Sequence, residues 1–252
     1  MVRGLFTGAS AMLVYGMRQD LLANDLANVQ TPAYRTQDAP IRSFPELFIH
    51  EELASRRLPR GPMGTGASLD ASVTRWTQAP VRYTGRPLDL AIEGEGFFAV
   101  LTPAGPRLTR AGNFTVGAGG WLATPDGYPV LGEQGPIEVS GVGAEEVVIA
   151  PDGQVLGPEG QSLGRILVVD VSDRQGLVRE GANLFRFTEA SGGPVRVEVP
   201  VRQGMLESSA ASVVRTMVEM IAAVRAYQAA QVVVRSHDEL TGDLIAQLGR
   251  SS

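Results

Sequence analysis

Two apolar stripes, one at each end of the chain, set the terms on which it can fold. From Gly8 the series Gly8, Met12, Tyr15, Gln19, Leu22, Leu26 and Val29 advances by fours and threes, which puts it along one helix face with coiled-coil spacing. Pro32 stops that helix, because proline removes a donor and disfavours helical backbone at the residue before it. The second stripe is stronger: Val213, Met217, Met220, Ile221, Val224, Tyr227 and Val234 keep the same period, and Leu240, Leu244, Ile245 and Leu248 extend it. Ser208, Ser209 and Ser212 offer N-caps and Gly249 a C-terminal glycine, so one long helix is expected, with Gly242 its weak point. A helix whose stripe finds no partner is marginal in water. The expected assembly interface is therefore Met12, Tyr15, Leu22, Leu26 and Val29 on the first helix, with Val213, Met217, Met220, Ile221, Val224 and Tyr227 on the second. These stripes are expected to pair with each other or with copies of the chain, and Ile221 and Val224 to face a packed neighbour. Gly4, Gly8 and Gly16 weaken the first helix in isolation but let a neighbouring backbone come close.

Between the stripes the texture changes. The chain holds 30 Gly and 16 Pro, so turns interrupt it often. Short apolar or alternating runs fill residues 88–198, among them Leu88–Ile92, Phe97–Leu101, Val147–Ile149 and Ile166–Val171. Pro125-Asp126-Gly127 and Pro151-Asp152-Gly153 read as turns, where proline presets φ and glycine supplies a positive φ. Residues 36–87 carry five prolines between positions 40 and 80 and a basic patch from Arg56 to Arg60, and read as an extended linker with a short helix over 46–54. The expected fold class is α+β with a mainly β core. Residues 1–35 and 199–252 would supply N- and C-terminal helices forming a coiled-coil-like stem, 36–87 the linker and 88–198 a β-rich middle domain.

Several functions lack a footprint. A net charge of −5 with no basic run interleaved with aromatics argues against nucleic acid. With no cysteine there is no thiolate nucleophile, disulfide or sulfur-ligated zinc. Met1–Phe6 lacks the apolar core of a signal peptide and no stretch approaches ~18 uninterrupted apolar residues, so direct membrane insertion is not expected. Gly94-Glu95-Gly96-Phe97-Phe98-Ala99 fits a dinucleotide pattern, but that pattern needs a helix where Phe97–Leu101 reads as a strand; a glycine-rich hairpin turn is the better reading. His50 and His237 have no ligand or nucleophile motif beside them, and His237-Asp238-Glu239 reads as a solvated polar patch. Asp152 and Asp173 lack the spaced oxygen ligands of a calcium loop, and Met217 and Met220 read as packing residues. No catalytic, cofactor-binding or metal site is expected, and no cofactor.

The specific strings, taken together, resemble the flagellar hook and basal-body rod family. Arg3–Ser10 looks like the family's opening, and Ala23-Asn24-Asp25-Leu26-Ala27-Asn28-Val29-Gln30-Thr31-Pro32-Ala33-Tyr34-Arg35 looks like its rod signature. Ala33 stands where glycine is commonest, at a turn where glycine would tolerate a positive φ. Leu88–Phe98 and Leu108-Thr109-Arg110-Ala111-Gly112-Asn113-Phe114 resemble the β-domain signatures. Gln203-Gly204-Met205-Leu206-Glu207-Ser208-Ser209, Met217–Ile221 and Arg225–Ala229 resemble the family's C-terminal strings. Within the family, Tyr83–Asp89, Gly132–Ile137 and the overall length lie nearer the proximal than the distal rod members. The resemblance implies a structural rod subunit rather than an enzyme, exported without a cleaved signal by the flagellar type III export apparatus. Its partners would be copies of itself and other rod and hook proteins, in the basal body within the cell envelope. The competing reading is an extracellular β-rich adhesin-type module in which Trp76, Trp121 and the linker contact a ligand.

Overall fold

The computed structural model describes residues 2–43, 47–53, 56–63, 66–181 and 183–250. It is α+β, with a helix at each end of a mostly β chain. The chain divides into two units, the first comprising Met1–Leu26, Gln37–Val73 and Val213–Ser252, the second Ala27–Thr36 and Thr74–Ser212.

In the first unit helix α1 runs Val2–Ala27 and helix α2 runs Val213–Arg250 without a break at Gly242. Gly249 lies inside α2 instead of capping it. The helices meet at glycines of α1. A Cβ on Gly8 would stand 2.8 Å from a Val234 methyl and 3.5 Å from the Ala230 carbonyl; one on Gly4 would stand 2.0 Å from the His237 ring. Since Gly4 meets His237 and Gly8 meets Ala230 and Val234, the helices run antiparallel. Gly16 has open space around it.

The described strands between residues 37 and 73 pair as a β-ribbon. Ile41–Ser43 pairs with Ala67–Leu69, and farther out Leu47–Leu53 pairs antiparallel with Arg56–Met63, with a register shift between Ile49 and His50. Arg42 and Asp70 form an ion pair at 2.7 Å, and Ser10 of α1 accepts from the Ala67 amide at 3.3 Å. The short helix expected over 46–54 is a strand across Leu47–Leu53, and residues 46 and 54 lie outside the described set. Phe48 and Ile49 favour pleated backbone, and a partner strand follows within a few residues.

The second unit is built on a six-stranded antiparallel sheet. Its order is Val178–Glu180, Leu184–Arg186, Gly105–Thr109, Phe97–Thr102, Val168–Asp170 and Val195–Arg196. Adjacent side chains in a strand point to opposite faces, and the doubled apolar residues use this. Phe98 and Val168 enter the larger core with Leu90, Val100, Phe114, Leu122 and Val130. Phe97 and Val169 enter a second core with Leu108, Leu177 and Phe185. Trp76 closes that second core, edge-on to Phe97 and Phe185 with centroids 5.5 and 4.9 Å away. Burying both sheet faces is what makes runs such as Phe97-Phe98 continuous rather than alternating.

Both Pro-Asp-Gly turns form as expected. The Gly127 amide donates to Thr124 and the Gly153 amide to Ala150, at 2.8 and 2.9 Å, with glycine φ of 86° and 82°. The Gly94-Glu95-Gly96 segment is not a hairpin turn. Leu90–Ile92 pairs with Val201–Gln203, whereas Phe97–Thr102 pairs with Gly105–Thr109 and Val168–Asp170, so the two glycines carry the chain from one sheet to another. No helix follows them, which removes the geometry a dinucleotide phosphate requires.

Candidate assembly interface

The helix pair presents two faces. On α1 the stripe read from the sequence lies on the covered side: Gly8 and Leu22 are buried, and Met12, Tyr15 and Leu26 are half-buried, as is Val29 just past the helix end. Val14 and Asp25 are buried too. The opposite side, which the stripe does not include, is also apolar. Phe6 is 64% exposed and Leu13 68%, with Met17 more than half exposed. Successive positions turn by about 100°, so Phe6, Leu13 and Met17 fall on one line roughly opposite Tyr15 and Leu22.

On α2 the covered line is Thr216, Ala223 and Ala230, spaced by sevens, flanked by half-buried Met220, Tyr227, Val234 and His237. Small residues on this line permit the close approach that Gly4 and Gly8 permit from α1. The expected interface residues therefore separate into two groups. Met220 and Tyr227 lie on the covered side, whereas Val213, Met217, Ile221 and Val224 are exposed. Val214, Val218 and Val232 join Met217 and Ile221 in an apolar ridge opposite the covered line, with Val214 at 74% and Ile221 at 55% exposure. The signal for this ridge is present in the sequence: a helix apolar on two opposite faces has two surfaces to bury.

His237 departs from the solvated patch expected of it. Its ring packs over Gly4, and its Nδ1 is buried without a hydrogen-bond partner, while Asp238 and Glu239 are exposed. The side chain of His50 lies outside the described set, as do those of the Arg56–Arg60 basic patch. Within Val213–Gln247 an 18-residue window reaches a mean hydropathy of 1.2, enough by length and composition to cross a membrane, so the absence of an uninterrupted apolar run understated how apolar this stretch of the helix is. Among the described residues no cluster of three or more His, Cys, Asp or Glu side chains has metal-site geometry.

The arrangement defines a class: a chain with a well-filled β unit and terminal helices that each carry an exposed apolar ridge, the kind of surface that marks contact with other chains. Comparison with known proteins narrows the class. Residues 91–157 match the D1 domain of the flagellar hook protein FlgE/F/G family, and residues 202–248 match the C-terminal region of the flagellar basal-body rod FlgEFG proteins. The chain is 31% identical over 260 residues to the flagellar basal-body rod protein FlgG of Bacillus subtilis, covering 97% of this chain and 98% of that one. It is 30% identical to FlgF of Caulobacter vibrioides over 99% of both chains, and 32% identical to FlgF of Escherichia coli over 96% of both. The chain belongs to the flagellar basal-body rod protein family.

Proposed function

We propose that this chain is a structural subunit of the flagellar basal-body rod that polymerises helically through its terminal helices and carries torque across the periplasm. The observation that carries the reading is the pair of outward apolar ridges, Phe6, Leu13 and Met17 on α1 and Val214, Met217, Val218 and Ile221 on α2. Apolar surface of this extent is stabilised by removal from water at about 25 cal/mol per Å². Neighbouring copies supply the cover, and a repeated heterologous contact that does not close on itself generates a helical polymer. In this reading the helices within residues 1–35 and 199–252 form a coiled-coil-like stem at the polymer axis, 36–87 link it, and the β domain built on 88–198 lies outside. The same ridges account for the hydropathy of α2 without a lipid environment, since Arg215, Glu219, Arg225 and Arg235 interrupt it.

Export by the flagellar type III apparatus fits a chain whose first helix is weakened by Gly4, Gly8 and Gly16 and orders when neighbours bury it. The partners in this reading are copies of the chain and adjoining rod and hook proteins. The proximal rod position is favoured by the Tyr83–Asp89 and Gly132–Ile137 strings. Trp76, which a ligand-binding module would present to solvent, is instead packed against Phe97 and Phe185.

Deleting the gene and imaging purified basal bodies by electron microscopy tests the proposal. A non-motile strain with a truncated rod is expected, and a stub ending at the distal segment would reassign the chain to the distal position. Complete basal bodies in a motile strain would overturn it.

A further inference from the structure

The β unit connects to the rest of the chain through three of its own segments, residues 27–36, 74–79 and 203–212, and all three converge on one carboxylate. The Glu207 side chain, 1% exposed, accepts from Arg35 Nη2 at 2.8 Å and from Arg110 Nε at 2.9 Å. Its Oε1 also accepts from the Ala79 amide at 2.8 Å. Arg35 reaches on to the Thr77 carbonyl at 2.7 Å, and Arg110 donates to the Gly94 and Gly96 carbonyls at 2.6 Å each. Backbone bonds seal the same place: the Ala33 amide donates to the Glu207 carbonyl and the Ala210 amide to the Tyr34 carbonyl, both at 2.9 Å, and the Ser208 amide donates to the Pro80 carbonyl at 2.9 Å. The Arg179 guanidinium stacks over Tyr34 at 4.7 Å and donates to the Arg35 carbonyl, and Asn183 donates to the Pro32 carbonyl at 3.0 Å.

Two buried cations share one buried anion here, so the carboxylate cannot be lost without leaving two guanidinium groups facing each other out of water. Burial already pulls the Arg35 guanidinium below its ordinary value, and the Glu207 charge opposes that pull. An apolar plug would fill the same space with less electrostatic cost. What a charged node adds is direction: it fixes three strands of backbone to one another through short bonds at defined angles.

We propose that Arg35, Glu207 and Arg110 form a torsional clamp that binds together the segments by which the β unit is attached to the rest of the chain. The mechanical part of this inference rests on the rod reading above; the clamp itself does not. Force applied along any one connection is shared through Glu207 with the others, so that the β unit is turned as a body instead of being peeled strand by strand. Glu207 is thus a positioning residue for torque transfer, acting through Arg35 and Arg110.

Amide hydrogen exchange on the purified full-length chain tests the clamp directly. In Glu207→Gln the amides of Ala33, Ala79 and Ala210 should exchange roughly a hundredfold faster while those of Leu122 and Val130 in the core keep their protection. Glu207→Asp, too short to hold both guanidinium groups at once, should show the same selectivity to a smaller degree. Unchanged exchange at the three amides would overturn the clamp, and so would a uniform rise that included Leu122 and Val130, since that is the behaviour of an ordinary core residue. The mechanical role is read from Glu207→Asp cells swimming in media of rising viscosity. Basal bodies of normal length with early stalling are expected, whereas swimming equal to the parent strain at every viscosity would overturn it. The exchange result is obtained on isolated protein, so it stands apart from the rod assignment.

Discussion

The β unit and the helix pair treat their apolar residues in opposite ways. In the β unit Phe98, Val100, Leu122 and Val130 are fully enclosed, and even the doubled residues Phe97-Phe98 and Val168-Val169 find a core on each side of the sheet. In the helix pair only one side of each helix is covered, and Phe6, Leu13, Met17, Val214, Val218 and Ile221 stand in the open. A region that has buried its apolar surface is stable on its own account, whereas one that has not must draw stability from association. Substitutions should therefore act on different quantities in the two regions: on folding in the β unit, and on assembly along the outer ridges.

The largest expected effect lies in the β core. Phe98→Ala removes a side chain at 0% exposure that packs edge-on to Phe114 at 5.2 Å, and should lower the unfolding free energy by about 3–5 kcal/mol in chemical denaturation of the unassembled chain. Smaller and opposite in sign is Ala33→Gly. Ala33 has φ of 56°, a left-handed conformation that costs an L-residue about 1 kcal/mol, and glycine there should raise stability by about 0.5–1 kcal/mol, read as an increase in Tm. A loss of stability would mean that the alanine methyl packs usefully in its buried position.

Acidification supplies a third test. Burial pushes the Asp170 carboxyl upward, but hydrogen bonds from Arg174 and the Val171 amide outweigh it and hold the group below its ordinary value. The hydrogen bond from Arg174 likewise depresses Glu95, and those from Arg107 and Arg186 depress Glu180. A carboxylate depressed in the folded state stabilises it above the unfolded pKa, near about 4, and that contribution is lost as pH falls through the folded value. Stability of the β unit should thus be flat near neutrality and decline below about pH 4, and Arg174→Met should flatten that decline. The smallest effect on folding is expected at Ile221→Asp on the outer ridge, within about 0.5 kcal/mol of the parent chain. That variant should nevertheless fail to enter rods, seen as truncated basal bodies when it is the only copy expressed.

The sequence makes the same division legible up to a point. Both helices, 26 and 38 residues long, are readable because a stripe sustained over several turns leaves few alternatives. The period locates an apolar face without saying what covers it. Spacing alone does not distinguish Met12 and Met220, on the covered sides, from Ile221 on the outer ridge. Where both faces of a helix are apolar, the more regular stripe draws attention first.

In the β unit the strands themselves are legible as short apolar runs between turns, but their partners are not. Leu90–Ile92 pairs with Val201–Gln203 across more than a hundred residues, and no local pattern encodes such a pairing. The paired strands Leu47–Leu53 and Arg56–Met63 are hidden by Pro59 and Pro62, which argue against a strand unless, as among the described residues here, it has a partner on one side alone. Arg110 and Glu207, 97 positions apart, each sit in a recognisable string, yet only the folded chain brings them together.

In an assembled rod the exposed ridge of α2 should become buried between copies. The chain has no cysteine, so Ile221→Cys introduces a single thiol whose reaction with a maleimide can be timed in the purified chain and in intact basal bodies from cells that express it. Rapid labelling of the isolated chain and strong protection in the assembled rod are expected. Equal labelling in both would contradict that burial, because the ridge would then face solvent in the rod as it does in the single chain.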